Sequence, residues 1–216
     1  MKSNLLHICF VLDESGSMYN STDDVIGGFQ KLIDEQKGEK NGECIISLYR
    51  FSDTVKKDYI GKPVDEVPRL TYSPGGCTAM NDGVGTAIDE IGKWLSDMDE
   101  SERPSKNIIV IMTDGQENCS KEYTFDSVKY KIQHQEEKYN WTFIYMGTNL
   151  FDLKDANRLG IKMRSVSGSD NIVSNYSHIS NYAKALKSDV TIADAFLLEK
   201  LREDTDKYQA ENNITL

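Results

Sequence analysis

The chain has no long apolar run: none of its stretches approaches the roughly eighteen apolar residues needed to cross a bilayer. A membrane-spanning segment is not expected. Histidine is scarce, with only His7, His134 and His178. None of the three stands beside a Gly-x-Ser-x-Gly elbow, which argues against a serine hydrolase built on Ser15 or Ser17. The four cysteines, Cys9, Cys44, Cys77 and Cys119, form no C-x-x-C pair and have no local histidine grouping, so a zinc-finger type of site has no support. A chain of 216 residues needs no disulfide staples, and Cys9 and Cys44, inside apolar runs, read as buried free thiols. Basic residues are also in deficit. With 25 Lys and Arg against 35 Asp and Glu, the net charge is -10, which disfavours binding to a nucleic-acid backbone.

What the sequence does have is ordinary globular material, 38% hydrophobic and 28% charged. The reading is one domain over 1–216, with a core over about 5–187 and a polar tail over 188–216 that is helical or frayed. Lys2 followed by Leu5–Leu12 imitates the start of a signal peptide, but the run is short, contains His7, ends at Asp13-Glu14 and lacks a small-x-small cleavage site. It reads as a buried strand, and the protein as cytoplasmic.

Further strands are expected at Cys44–Phe51, Asp53–Tyr59, Asn107–Met112, Trp141–Met146 and Ile161–Val166. The tight connection at Ser52-Asp53 favours an antiparallel pairing of the second and third. Helical periodicity appears from Thr22 or Asp23 to about Gln36, and again with Val84, Ile88, Ile91 and Leu95 on one face. It returns from Thr124 to about Tyr139, at about Phe151–Leu159, and over Ile172–Leu186. Alternating strands and helices imply an α/β fold whose sheet is mostly parallel, with helices on both faces.

Three loops concentrate oxygen ligands at strand ends or helix starts: Asp13-Glu14-Ser15-Gly16-Ser17, Gly75-Gly76-Cys77-Thr78-Ala79-Met80-Asn81-Asp82, and Thr113-Asp114-Gly115. In an open α/β sheet, ligands bind beyond the carboxyl ends of the strands, where the strand order reverses. Two carboxylates, three hydroxyls and one or two waters would fill the shell of a small hard cation. Mg²⁺ is the expected ion, with Mn²⁺ and Ca²⁺ as alternatives. Each loop alone is an ordinary turn and helix cap; their joint occurrence, in order, is more specific.

Asp13-x-Ser15-x-Ser17, Thr78 in a Gly-Gly-x-Thr context, and Thr113-Asp114-Gly115 together resemble the metal-ion-dependent adhesion site (MIDAS) of von Willebrand factor A domains. The segments Val11–Met18 and Thr78–Asp82 look particularly like intracellular bacterial and phage members. The resemblance covers about Leu5 to Ile161. It implies a Rossmann-like, doubly wound sheet with one antiparallel edge strand, and a cation held by Asp13, Ser15, Ser17, Thr78 and Asp114. It further implies that an Asp or Glu of a partner protein completes the metal's shell. Asp82 and Asn118 are candidates for the surrounding layer, with capping of a helix or turn as the alternative. The Gly147–Asp152 stretch should share the same sheet edge; a strand-to-helix turn is its simpler role.

The function expected is therefore non-enzymatic: a metal-dependent protein-binding module serving complex assembly, without nucleic-acid or membrane partners. Two alternatives stand beside it. A Mg²⁺-dependent phosphoryl-transfer enzyme of haloacid dehalogenase type would need a second Asp two residues after Asp13, where this chain has Ser15. A structural domain with no metal-dependent role is the other.

Overall fold

The computed structural model describes residues 1–148, 152–166, 172–188 and 193–211. Six strands form one sheet: β1 Lys2–Asp13, β2 Glu43–Phe51, β3 Val55–Pro63, β4 Pro104–Thr113, β5 Thr142–Gly147 and β6 Met163–Val166. Their order is β3-β2-β1-β4-β5-β6, parallel throughout except for the antiparallel β2–β3 pair. This is the mixed, doubly wound sheet expected, with the antiparallel strand at one edge.

The α-helices among the described residues are α1 Thr22–Lys37, α2 Met80–Asp97, α3 Phe125–Tyr139, α4 Asp152–Leu159, α5 Ile172–Lys187 and α6 Ala193–Glu211. Strand alternation sorts the core into two layers. Leu6, Ile8, Phe10 and Leu12 of β1 face α1, α5 and α6, where Val25, Phe29, Tyr176, Ile179, Leu197 and Leu201 meet them. Cys9 and Val11 face the other way, toward Val84, Ile88 and Ile91 of α2, Val128 and Ile132 of α3, and Leu159 of α4. The central strands are buried on both faces, and so read as continuous apolar runs.

Of the tail expected to be helical or frayed, Ala193–Glu211 is helical. Helix α6 buries Ala193, Leu197 and Leu201 and belongs to the first core layer. It lies along β6, where Val166 N–H donates to Thr205 Oγ1 at 3.2 Å, and Tyr182 O–H reaches Asp194 at 2.6 Å. At the opposite edge, β3 is largely exposed, carries Lys56, Lys57 and Lys62, pairs through register shifts and ends at Pro63.

Helix α1 begins after a 3-10 turn, Gly16–Ser21, and its N-cap position is Ser21, without a side-chain cap bond; Thr22 Oγ1 instead donates back to Tyr19 O. In the middle of α1, Gly28 packs on the ring of Tyr176, itself in edge contact with Phe29. A Cβ there would meet Tyr176 Cδ2 at 2.3 Å. Gly28→Ala should therefore force the α1–α5 contact apart and destabilise the fold by about 2–3 kcal/mol, as overpacked cores do. Urea unfolding checks this through a lowered midpoint at unchanged slope; an unchanged midpoint refutes it.

His7 is fully buried in β1. Its Nδ1 lies 3.0 Å from Asn107 Oδ1 and its Nε2 2.8 Å from Ser47 Oγ, which also accepts the Gly61 N–H. The network fits a neutral ring with the proton on Nδ1. Burial lowers the His7 pKa to about 4, against the Asn107 bond, which favours the charged form. The unfolded ring titrates near its ordinary 6.5. As pH falls from there, the unfolded chain takes up a proton that the folded chain refuses, so stability declines until about pH 4 and this contribution then levels off. His7→Gln should make the loss of stability between pH 7 and pH 4.5 shallower, by roughly 2 kcal/mol or more if the full shift is expressed. Identical pH profiles for the two proteins would remove His7 as the cause.

Candidate metal centre

The order of strands reverses between β1 and β4, and both strands end at the candidate site. Leu12 pairs with Met112, so Asp13 and Thr113, one residue on, emerge side by side. Thr113 Oγ1 donates to Asp13 Oδ2 at 2.6 Å, and Asp13 Oδ1 accepts the Ser15 N–H at 2.7 Å. Tyr72 O–H closes on the Asp13 carbonyl. Asp13 is thus fixed at both ends of its carboxylate.

The other expected ligands converge on it. Ser15 Oγ and Ser17 Oγ are 3.0 Å apart, and Ser17 Oγ donates to Asp114 Oδ1 at 2.5 Å. Gly115 shows how close the loops approach. A Cβ built there would lie 3.1 Å from Thr78 Oγ1, 3.3 Å from Ser17 Oγ and 3.7 Å from Asp13 Oδ2. Oxygens of the first and second loops therefore meet the third loop at Gly115 and border one small cradle, which a side chain there would crowd. All five residues, Asp13, Ser15, Ser17, Thr78 and Asp114, are brought together.

The electrostatics of that cradle favour a cation. Burial raises the Asp13 carboxyl to about 6, and the nearby Asp114 charge adds to the rise, while bonds from Thr113 and Ser15 oppose it. Burial likewise raises Asp114, against the Ser17 hydrogen bond. Two carboxylates in one poorly solvated place repel each other until a positive charge joins them. The donors are all oxygens, and the set fits a hard divalent ion.

The loops are held by residues that the sequence did not single out. Arg50, on β2, is almost fully buried and bonds Glu14 Oε1 at 2.5 Å through Nη1 and Asp58 Oδ2 at 2.6 Å through Nε. Glu14 Oε1 also accepts the Ser73 N–H, and Gly16 N and Gly75 N complete a backbone stitch between the first two loops. Glu117 accepts the N–H groups of Asn81, Cys119 and Ser120, tying the start of α2 to the third loop. Nothing in their local sequence distinguishes Arg50 or Glu117 from surface charges.

Asn118 and Asp82 separate in role. Asn118 Oδ1 accepts Thr78 N–H at 3.0 Å, and its own N–H donates to Thr78 O at 3.1 Å, so it clamps a ligand residue. Asp82 turns away to accept the N–H groups of Lys121, Glu122 and Tyr123, and stabilises a turn. Thr148 is buried at the end of β5; Asn149, Leu150 and Phe151, part of the stretch expected to border the site, lie outside the described residues. His7 sits midway along β1, not at its start as expected, but is still separated from Asp13 by five residues of extended strand and so lies away from Ser15 and Ser17.

One expectation is corrected. Cys77 and Cys119 form a disulfide, joining the second loop to the third, although the size of the chain demands no staple. Cys9 and Cys44 are buried free thiols, as expected.

A doubly wound sheet with oxygen ligands gathered at its switch point defines a class of α/β ligand-binding domains. Within that class, the chain belongs to the von Willebrand factor type A domain family, whose model matches residues 7–187. Domains of this family bind divalent metal at the MIDAS and generally act as protein-interaction modules. Proximal thread matrix protein 1 from the mussel byssus, solved with a zinc-occupied MIDAS motif, is similar at 19% identity and a TM-score of 0.58, over 84% of this chain and 46% of that one. A von Willebrand factor type A protein from Catenulispora acidiphila gives 16% and 0.57, over 85% of this chain and 43% of that one. The PilB minor pilin from Streptococcus sanguinis gives 14% and 0.60, over 86% and 63%. At these identities the likeness is one of fold. The chain spans a little under half the length of the mussel protein, at 46%. No curated protein matches it in sequence.

Proposed function

We propose that this domain is a metal-dependent protein-binding module, not an enzyme, in which Asp13, Ser15, Ser17, Thr78 and Asp114 hold Mg²⁺ and an Asp or Glu of a partner protein completes its shell. The observation that carries this reading is the cradle at Gly115, where Thr78 Oγ1, Ser17 Oγ and Asp13 Oδ2 all stand within 3.7 Å of one point. Only two of the five side chains are carboxylates, so a bound cation retains attraction for an incoming anionic oxygen. An acidic side chain from another protein supplies it, and the domain then serves complex assembly. Ser15 stands where a phosphoryl-transfer enzyme of haloacid dehalogenase type would carry its acid, and a serine hydroxyl does not titrate near neutral pH as a general acid must.

Affinity capture with the purified domain tests the proposal, run in parallel with Mg²⁺ and with EDTA. The expected result is a defined partner retained with Mg²⁺ and released by chelation. Partners held equally under both conditions would support the structural-domain alternative. Mg²⁺-dependent turnover of a phosphomonoester would support the enzyme.

A further inference from the structure

Beside the oxygen site, the described residues bring a different donor set together. Cys77 Sγ, Cys119 Sγ and a carboxylate oxygen of Asp53 lie within 4.8 Å of one another. We propose that with the Cys77–Cys119 bond reduced, these three side chains form a second metal site, selective for Zn²⁺ or another thiophilic divalent cation.

The three donors come from three separate connections: Asp53 from the β2–β3 hairpin, Cys77 from the second loop and Cys119 from the third. Asp53 is aimed by the fold. Its Oδ1 accepts the Cys77 N–H at 2.8 Å, and Gly76, at φ +79°, leaves room for it, since a Cβ there would meet Asp53 Oδ2 at 2.6 Å. The set differs in kind from the five oxygens nearby. Two thiolates and one carboxylate suit zinc, whereas thiolates are poor partners for magnesium. Tetrahedral zinc, with bonds of about 2.3 Å to sulfur, needs its sulfurs roughly 3.8 Å apart. The Cα atoms of Cys77 and Cys119, 6.3 Å apart, allow that by side-chain rotation. Solvent reaches the fourth position, because Asp53 is exposed.

The frame does not depend on the sulfur bond. Thr78 and Asn118 exchange two hydrogen bonds, at 3.0 and 3.1 Å, and Ala79 N–H donates to Ser52 O at 3.0 Å. These keep the loops in place while the thiols part. Reduction by a trialkylphosphine and one water breaks the S–S bond. Phosphorus is oxidised as it takes the oxygen, and each sulfur gains one of the water's protons. Metal binding then forms two metal–sulfur bonds and one metal–oxygen bond and releases both thiol protons to solvent. Cellular dithiols achieve the same reduction by exchange. Disulfides are rare in reducing compartments, so a cytoplasmic copy of this protein would present the thiols. Cys9 and Cys44 are buried and offer no competing ligands.

Co²⁺ is the probe, titrated into the full chain in oxidised and phosphine-reduced forms, with Asp114→Ala as the background that disables the oxygen site. The reduced chain should develop a sulfur-to-cobalt charge-transfer band that saturates at one cobalt per chain, survives in Asp114→Ala and is bleached by Zn²⁺. The oxidised chain should show none. Cys119→Ser should lose the band. Asp53→Asn, whose amide oxygen can still accept the Cys77 N–H, should weaken cobalt binding about tenfold or more, as loss of a directly bound group does at least as much as loss of an outer one. No band in the reduced wild-type chain would overturn the proposal. So would an unaltered band in Cys119→Ser or an unchanged affinity in Asp53→Asn.

Discussion

Asp114→Ala should cost the oxygen site at least about a hundredfold in Mg²⁺ or Mn²⁺ affinity, beyond the 10–100-fold typical of outer-layer losses. It should also end chelation-sensitive partner capture. Asp114 is one of only two carboxylates among the five candidate ligands, and it orients a third, since Ser17 Oγ donates to it at 2.5 Å. Its removal takes away half of the negative charge and leaves Ser17 Oγ with only Ser15 Oγ as a partner. Folding should not suffer to match. Burial raises the Asp114 carboxyl in the metal-free protein, so the fold gains little from its charge there. The measurement is a pair of melting curves for each protein, with Mg²⁺ and with EDTA. Wild type should melt higher with the cation, because only the folded chain has the site, and the variant should melt at one temperature in both. A variant that keeps the cation-dependent rise would separate Asp114 from the metal.

Arg50→Ala should have the largest effect on stability of any single charge change. Arg50 is 4% exposed and bridges Glu14 and Asp58, whose side chains are themselves only 15% and 20% exposed. Removing the guanidinium strands two carboxylates without their cation. Breaking a buried pair in this way costs about 3–5 kcal/mol. Residual solvent access at both acids, and Lys56 at 3.7 Å from Asp58, point to the lower end, about 3 kcal/mol. For a domain of this size that corresponds to a drop in melting temperature of about 10 °C. Restoring neutrality by adding Glu14→Gln and Asp58→Asn should recover much of it. A loss below about 1 kcal/mol in Arg50→Ala would show that Arg50 behaves as an ordinary surface charge.

The fold was legible where physics is local. Leu5–Leu12 and Asn107–Met112 read as central strands because burial on both faces leaves them almost wholly apolar, with His7 and Asn107 as the paired polar exceptions. Thr124 read as a cap, and its side chain does accept the Ser127 N–H. The candidate site was legible for the same reason: Asp13, Ser15, Ser17, Thr78 and Asp114 stand immediately at strand and helix ends, where the topology must bring them together. What escaped depends on distance in sequence. Arg50 and Glu14 are 36 residues apart, and Cys77 and Cys119 are separated by 42. No periodicity connects such pairs. The docking of helix α6 onto the core escaped for another reason. The helix buries Ala193, Leu197 and Leu201 but leaves Phe196 exposed among many charges, a stripe too narrow to distinguish a docked helix from a solvated one.

The two borders of the sheet also bear on how the molecule behaves at high concentration. An open row of strand amides invites a neighbouring chain to add itself and, repeated, to grow a fibril. On one side the lysines, irregular pairing and terminal proline of β3 make such a docking poor, and on the other α6 lies along β6 and engages the Val166 amide. Strand addition is thus disfavoured at both ends of the sheet, so the domain can be concentrated without its own edges templating a fibril.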